Sequence, residues 1–282
     1  PPTLYPSCYT DFMPYENFES NAYRGAELGL TINRSFGDLS FVVGTNVLYA
    51  NSETLIKDEV YANAYQYRTG RPVDAMFGLV ADGFFKDATD IANHAVQSFG
   101  AVKPGDIKYV DQNSNGIIDA NDEVQIGRWQ APFSYGLNVK LAYKNFTLFA
   151  IGIGRVGADS YISGNYYWVD GDDKYSEYVL NRWTEATKTT ATFPRLSSIS
   201  NTNNFRNSTF WLYRDNYFRV GRIQLTYEIP ETVTRKLLMK HLSFYVDASN
   251  LLTVSKHREI RELAVGSEPS YRSFSLGVKT RF

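Results

Sequence analysis

Hydrophobic and polar residues alternate with a period of two along much of this chain. Leu28, Leu30 and Ile32 alternate with Glu27, Gly29, Thr31 and Asn33. After Phe36-Gly37, the run Leu39, Phe41, Val43, Thr45, Val47 and Tyr49 alternates with Ser40, Gly44 and Asn46. Two such runs around a tight turn predict a β-hairpin. Leu137, Val139, Leu141 and Tyr143 alternate with Asn138 and Lys140, and a Lys144-Asn145 turn leads into Phe146 to Ile153. Near the end, Ile223, Leu225, Tyr227 and Ile229 oppose Arg222, Gln224, Thr226 and Glu228, and Leu242, Phe244, Val246 and Ala248 oppose Ser243, Tyr245, Asp247 and Ser249. The last run sets Phe274, Leu276, Val278, Thr280 and Phe282 against Ser273, Ser275, Lys279 and Arg281. Strands with one apolar and one hydroxylic or charged face suit an antiparallel β-barrel in lipid with a wet lumen. A soluble sandwich alternates too, with its wet face outward, and alternation does not say which face is outside.

Between the strands lie polar segments rich in Asn, Asp, Gly, Ser and Tyr: 51–74, 86–130, 157–208 and 253–270. Long loops at one end and short turns at the other are the asymmetry of outer-membrane barrels, whereas such loops are unusual in a compact soluble domain. Short helices are expected at 176–183 and, after Pro230, at Thr232–Leu238.

Composition sharpens this picture. Of 282 residues, 43% are apolar, and Tyr 21, Phe 18 and Trp 4 make an aromatic share of 15% that suits rings placed between greasy and wet surroundings. Net charge is −1 with no basic stripe, so no nucleic-acid partner is expected. A single cysteine, Cys8, precludes an intrachain disulfide and a cysteine-based metal site. No apolar run reaches the ~18 residues of a membrane helix, so any span must be made by strands. The start, Pro1-Pro2-Thr3-Leu4, carries neither Met nor a signal region and reads as the interior of a longer protein.

Few motifs carry chemistry. Asp111-Gln112-Asn113-Ser114-Asn115-Gly116-Ile117-Ile118-Asp119-Ala120-Asn121-Asp122 fits the register of an EF-hand calcium loop. Side-chain oxygens of Asp111, Asn113, Asn115, Asp119 and Asp122 and the carbonyl of Ile117 make the expected ligand set for a structural Ca²⁺, although Asp122 is shorter than the usual Glu and flanking helices are missing. Gly152-Ile153-Gly154-Arg155-Val156-Gly157 matches a dinucleotide fingerprint with Asp172 downstream, but residues 158–168 lack helical periodicity, so no helix N-terminus is there for a pyrophosphate. Glycines in a barrel strand bend it or make room for a neighbour. His94, His241 and His257 form no zinc motif, and a hydrolase using Ser249 or His241 is the weakest of three readings; no enzyme activity is expected.

Taken in order, several stretches resemble the SusC/RagA family of TonB-dependent transporters. Tyr23-Arg24-Gly25-Ala26-Glu27-Leu28 is similar to the family's RG-E strand start, and Pro104-Gly105-Asp106-Ile107-Lys108-Tyr109-Val110-Asp111 through Asp122 and Ile126-Gly127 to its PGDIKY segment. Pro132-Phe133-Ser134-Tyr135-Gly136, Asn181-Arg182-Trp183-Thr184, Phe193-Pro194-Arg195-Leu196, Ser208-Thr209-Phe210-Trp211-Leu212, Tyr217-Phe218-Arg219-Val220 and Asn250-Leu251-Leu252-Thr253 follow in the family's order. Asn115 departs from it, standing where the family has Asp. The resemblance runs from about residue 20 to the end and implies the C-terminal part, residues 1–282, of a transmembrane barrel of about 22 strands, of which this chain supplies roughly eight to ten. It implies a calcium-loop-like extracellular segment at 105–127 and a terminal strand at 270–282, in which Phe274, Leu276, Val278 and Phe282 form a barrel-assembly signal.

It also implies an upstream plug, a TonB–ExbB–ExbD energy source acting through that missing part, a SusD-like surface lipoprotein, outer-membrane lipid, and an oligosaccharide or peptide substrate. The membrane would be a Gram-negative, Bacteroidetes-like outer membrane. Tyr166, Tyr167 and Trp168 are candidates for stacking on substrate. The rival reading is a soluble, calcium-stabilised carbohydrate-binding β-domain, which requires the apolar faces to be buried against a second sheet.

Overall fold

The period-two runs become one sheet. A computed structural model describes residues 17–263 and 268–282; the expectations at Pro1–Leu4 and Cys8 lie outside the described residues. Seven strands form the sheet: β1 Ser20–Phe36, β2 Leu39–Ile56, β3 Phe133–Tyr143, β4 Phe146–Val156, β5 Tyr217–Glu228, β6 His241–Val254 and β7 Ser273–Arg281. Each lies beside its sequence neighbours, in the order β1-β2-β3-β4-β5-β6-β7. The fold is a section of an antiparallel barrel wall. No helix among the described residues is long and apolar enough to cross a membrane.

Register decides the faces. Phe41, Leu141, Leu148, Leu225, Val246 and Leu276 are direct partners from β2 to β7, so they stand on one face as a single row. Leu39, Tyr143, Phe146, Tyr227, Phe244 and Val278 form the next row. Neither row is covered: Leu225 is 44% exposed and Leu276 83%. The soluble sandwich required these side chains to be buried, and they are not. The opposite face is mixed but carries the charged and amide groups: one row reads Val42, Lys140, Phe149, Gln224, Asp247 and Ser275. Along it Arg222 bonds Asp247, its Nη2 donates to Gln224 Oε1 at 3.0 Å, and Gln224 Nε2 donates to Thr226 Oγ1 at 2.8 Å.

Aromatic rings mark both ends of the apolar face. Near the short turns, Phe146 and Tyr227 meet with centroids 4.7 Å apart; at the other end Tyr135 stacks on Phe218 at 5.8 Å. Phe146 and Gly154, the partner of Tyr135, are eight residues apart, about 27 Å along the strand, which a tilt of about 35–45° converts into a band of about 20 Å.

The glycines of the nucleotide-like fingerprint have their explanation here. A Cβ on Gly154 would meet Tyr135 Cζ at 2.3 Å, and one on Gly152 would meet Phe218 Cζ at 2.4 Å. They leave room for rings lying across the strand, and β4 is followed by a strand at Asp159–Tyr161, not by a helix. A bulge interrupts the ladder: β4 pairs Ile151 with Arg222 but Gly152 with Val220, and Asn250 opposite turns left-handed at φ 55°.

Connections alternate in length. Gly37-Asp38 and Lys144-Asn145 are tight turns, whereas residues 57–132, 157–216 and 255–272 are long. The first two long segments do not remain irregular loops. Asn51–Gln130 and Asp159–Arg214 belong to a compact unit distinct from the one that holds most of the sheet. Its core is Leu79, Ile107, Tyr109, Ile118, Val169, Val179, Phe193 and Trp211, all nearly solvent-free. This unit accounts for a strand count of seven, against the eight to ten expected: its length goes into two-stranded pieces and bends, not wall strands. The helix expected at 176–183 is a 3₁₀ turn, Glu177–Asn181, and the one after Pro230 is an α turn, Glu231–Thr234, continued as 3₁₀ over Arg235–Leu237.

Candidate functional site

The residues of the PGDIKY-like stretch converge with those of the RWT-like and PRL-like stretches inside the loop-built unit. Gly105 has φ +89°, a backbone region that favours glycine, and the Trp183 indole packs where its side chain would be, with Cε3 2.4 Å from an ideal Cβ. Its N–H donates to Phe85 O at 2.7 Å, and Arg195 N donates back to Gly105 O at 2.9 Å. Asp106, fully buried, accepts from Lys103 N (2.7 Å), Arg195 Nη2 (3.1 Å), Asn201 Nδ2 (2.9 Å) and Asn204 Nδ2 (2.8 Å). Arg195 Nε stands 2.8 Å from the other carboxylate oxygen. A buried carboxylate is tolerable only when paired and bonded in this way.

Around it runs a network that period-based reading does not reveal. Asn204 Oδ1 accepts from Ile107 N (2.8 Å), Gln97 Oε1 from Tyr109 N (2.7 Å), and Asn203 O from the Tyr109 hydroxyl (2.7 Å). Trp211 Nε1 donates to Asn204 O at 2.8 Å. Gln97, Asn203 and Asn204 thus serve the backbone of a strand only three residues long, Ile107–Tyr109, while Asn201 bonds Asp106 and accepts from the backbone N–H groups of Asn203 and Asn204. Burial pushes the Tyr109 phenol well above its usual range, keeping it a neutral donor. Arg128 pairs with Asp74 at 3.0 Å. Burial would raise the Asp74 carboxyl, but bonds from Arg128, Gln130 N–H and the Ser52 hydroxyl hold it below the usual range.

The calcium-like loop folds as a chain of short local bonds. Asp111 accepts from Gly116 N (2.8 Å), Asn113 from Asn115 N (3.0 Å), Asn115 from Ile117 N (2.8 Å) and Asp119 from Asn121 N (2.7 Å). Asp122, fully buried, takes Gln112 N on one oxygen and Asp119 N on the other, each at 2.8 Å. Tyr65 donates to Asn121 O at 2.6 Å, and burial, then the charges of Asp122, Asp111 and Asp119, raises its phenol. No group of three or more acids, histidines or cysteines placed to hold a metal ion occurs among the described residues. Asp111, Asn113, Asn115 and Asp119 offer oxygens only, the chemistry a hard cation takes; Asp122 closes the loop on itself.

Tyr167 is buried, and Trp168 is half-buried with Nε1 on Ile162 O at 2.8 Å and its ring 6.0 Å from Trp211. Tyr166 meets Tyr167 edge-on at 5.1 Å. All three rings are therefore engaged in packing the unit. Phe274, Leu276, Val278 and Phe282 are exposed on the terminal stretch. The hydrolase reading fails on geometry: His241 Nε2 contacts Ser243 Oγ at 3.2 Å, while Ser249, six residues further along the same strand, is about 20 Å away.

With this arrangement defined, comparison with known proteins gives a consistent result. No family model matches the chain. It is similar to TonB-dependent receptor P3 of Formosa agariphila, 24% identical over 235 residues, covering 76% of this chain and 23% of that protein. TonB-dependent receptor P26 of the same organism is 26% identical over 232 residues, with the same coverage. The chain thus spans about a quarter of these relatives' length. Among solved structures, the RagAB peptide importer in the open-open state superposes with a TM-score of 0.73 at 20% identity, over 97% of this chain and 30% of that one. The closed-closed state gives 0.70 at 19%, over 96% and 31%. The fold is therefore that of a transmembrane β-barrel section. Together with the ordered motifs, these likenesses support reading the chain as a C-terminal section of a SusC/RagA-type TonB-dependent transporter.

Replacing the buried Asp106 by Ala leaves the half-buried Arg195 without its counter-charge and Asn204 Nδ2 without this acceptor, and should destabilise the loop-built unit by about 3 kcal/mol. Hydrogen exchange reads this as lost protection at Ile107–Tyr109 and around Phe193, with strands β5–β7 unchanged.

Proposed function

We propose that the chain is the wall and loop section of an active importer of oligosaccharides or oligopeptides, driven by TonB–ExbB–ExbD and working with a SusD-like surface lipoprotein in a Gram-negative outer membrane of the Bacteroidetes kind. The observation that carries this reading is the set of in-register apolar rows left open to the outside, facing away from a polar face rich in hydrogen-bonding side chains. Only a lipid-facing wall around a wet passage uses both faces at once. Similarity to two TonB-dependent receptors supports the energy source, and the RagAB importer's fold supports transport of an oligomer. No covalent chemistry is assigned to the chain.

We propose in addition that the loop of Asp111, Asn113, Asn115, the Ile117 carbonyl and Asp119 takes a structural Ca²⁺, with Asp122 closing it. The ion would stiffen the segment 105–127.

Three outcomes test these readings. Cells carrying the complete transporter should lose uptake of a labelled oligomer on deletion of TonB or collapse of the proton gradient; uptake that persists in both would show a passive pore. Leu225→Arg should cost about 2–4 kcal/mol of barrel stability at mid-membrane, read by urea titration of heat-modifiable gel mobility, while Gln224→Arg on the opposite face leaves it nearly unchanged. Calcium should raise hydrogen-exchange protection across 105–127 relative to chelator, and Asp111→Ala should remove the difference; equal protection with and without calcium would discount the ion.

A further inference from the structure

We infer that Arg155, Arg219 and Arg261, gathered around the ring of Tyr217 at the loop end of the sheet's polar face, form a site for a carboxylate carried by the imported oligomer. The inference rests on the import reading above and names the chemistry of the cargo.

Sequence and register place two of the arginines. Leu48, Ser134, Arg155 and Tyr217 are successive partners across β2, β3, β4 and β5, and Ile153 pairs with Arg219. These rows lie on the same face as the Arg222–Asp247 pair. The third comes from the helix Arg258–Leu263, which follows β6 and sends Arg261 back to the sheet. The guanidinium carbons of Arg261, Arg155 and Arg219 stand 3.7, 5.2 and 5.7 Å from the Tyr217 ring centroid. Three cations on one aromatic ring repel one another unless anions sit among them.

One anion is present. Asp215, 2% exposed, bonds Arg155 through one oxygen and Arg261 through the other. Its capacity as a bidentate partner is filled by those two. The Arg219 guanidinium forms no hydrogen bond or ion pair with any described residue, its only contact of this kind being the Tyr217 ring. Arg155 Nε and Arg261 Nε are shut from solvent and have no acceptor. Glu262, the nearest acid on the helix, is taken by Arg258 at 2.8 Å. The cluster therefore holds two positive charges more than it neutralises. The Arg222–Asp247 pair further along the same face is balanced, so the excess is local.

Space and surface complete the site. Two recesses flank the cluster: one of about 310 Å³ beside Arg155 and Tyr217, lined also by Asn46, Leu48, Ser134 and Ile153, and one of about 410 Å³ that Arg219 lines with Asn250, Thr253 and Glu262. Leu48 and Ile153 are 43% and 52% exposed, an apolar patch beside the cluster. Guanidinium recognises a planar carboxylate in two-point fashion, and an adjoining apolar floor with an aromatic ring suits the face of a sugar or a peptide side chain. A uronate and an acidic peptide share this chemistry.

Arg219 is the residue to change, since it holds no part of the fold. The complete transporter with its lipoprotein, purified in detergent, is titrated calorimetrically with oligogalacturonate, a Glu-rich peptide, and their uncharged counterparts, a neutral oligoglucose and the Gln-containing peptide. Wild type should bind one carboxylated probe more tightly than its neutral counterpart, and the arm that responds identifies uronate or peptide. Arg219→Gln should weaken that probe about ten- to a hundredfold with the neutral probe unmoved, and Arg219→Lys should recover part of the loss. Heat-modifiable gel mobility verifies that each variant is folded. Equal binding of charged and neutral probes by wild type, no binding of either, or equal loss for both on Arg219→Gln would overturn the site. Because binding in detergent needs no TonB, a failure of TonB-dependent uptake leaves this readout intact and counts against the import reading alone.

Discussion

Inside a hydrocarbon layer a backbone N–H or C=O has no water to turn to, so every strand must give its hydrogen bonds to a neighbour. That requirement explains why each of β1–β7 lies beside the strand that precedes it in sequence. A meander joined by tight turns at Gly37-Asp38 and Lys144-Asn145 satisfies the ladder with the least chain, and side chains are then free to divide by face. Leu148, Leu225, Val246 and Leu276 fall into one row because register and alternation are one constraint: a slip of one residue would turn Arg222 and Asp247 toward lipid.

The loop-built unit solves the same backbone problem under the opposite condition. Its strands are two to five residues long and pair only two at a time, which leaves one edge of each open, so side-chain amides and carboxylates take over there. Asn203, Asn204 and Gln97 bond the backbone of Ile107–Tyr109 as a neighbouring strand would, and Asp106 draws the stretch from Lys103 to Asn204 onto one carboxylate. Polar residues that read along the chain as loop composition are internal scaffolding. Trp211 and Phe193 close over them, with centroids 5.8 Å apart.

The difference between the two units sets what can be read without coordinates. In the wall, strands pair in sequence order and the signal has a fixed period, so hairpins, faces and the alternation of long and short connections are all visible from residues such as Leu276 and Ser275. In the loop unit, Leu79, Ile107, Val169, Phe193 and Trp211 come from distant segments and share no period, so the core cannot be assembled by inspection. The Asp-Asn-Asn-Gly spacing at 111–122 is visible but ambiguous, because side-chain oxygens that could circle a cation also cap the backbone amides of their own turn. Arg261 gave no signal, since only the return of the helix after β6 brings it to Asp215 and Tyr217.

The polar face also shows why glycine and arginine occur together near the loop end. Gly152 and Gly154 remove side chains from the apolar face, allowing Phe218 and Tyr135 to lie flat across β4. The stacked rings tie β3 to β5 across β4 on the apolar side, and Arg155, Ile153 and Tyr217 stand on the wet face. The bulge at Gly221 and Asn250 adds twist at the same level. It puts Arg219 and Arg222 on one face although they are three residues apart, which strict alternation would forbid. Arg219 in the cationic cluster and Arg222 in the balanced pair with Asp247 therefore share a face through one local irregularity in the ladder, and a ladder that paired Gly221 regularly would send one of the two arginines to the lipid side.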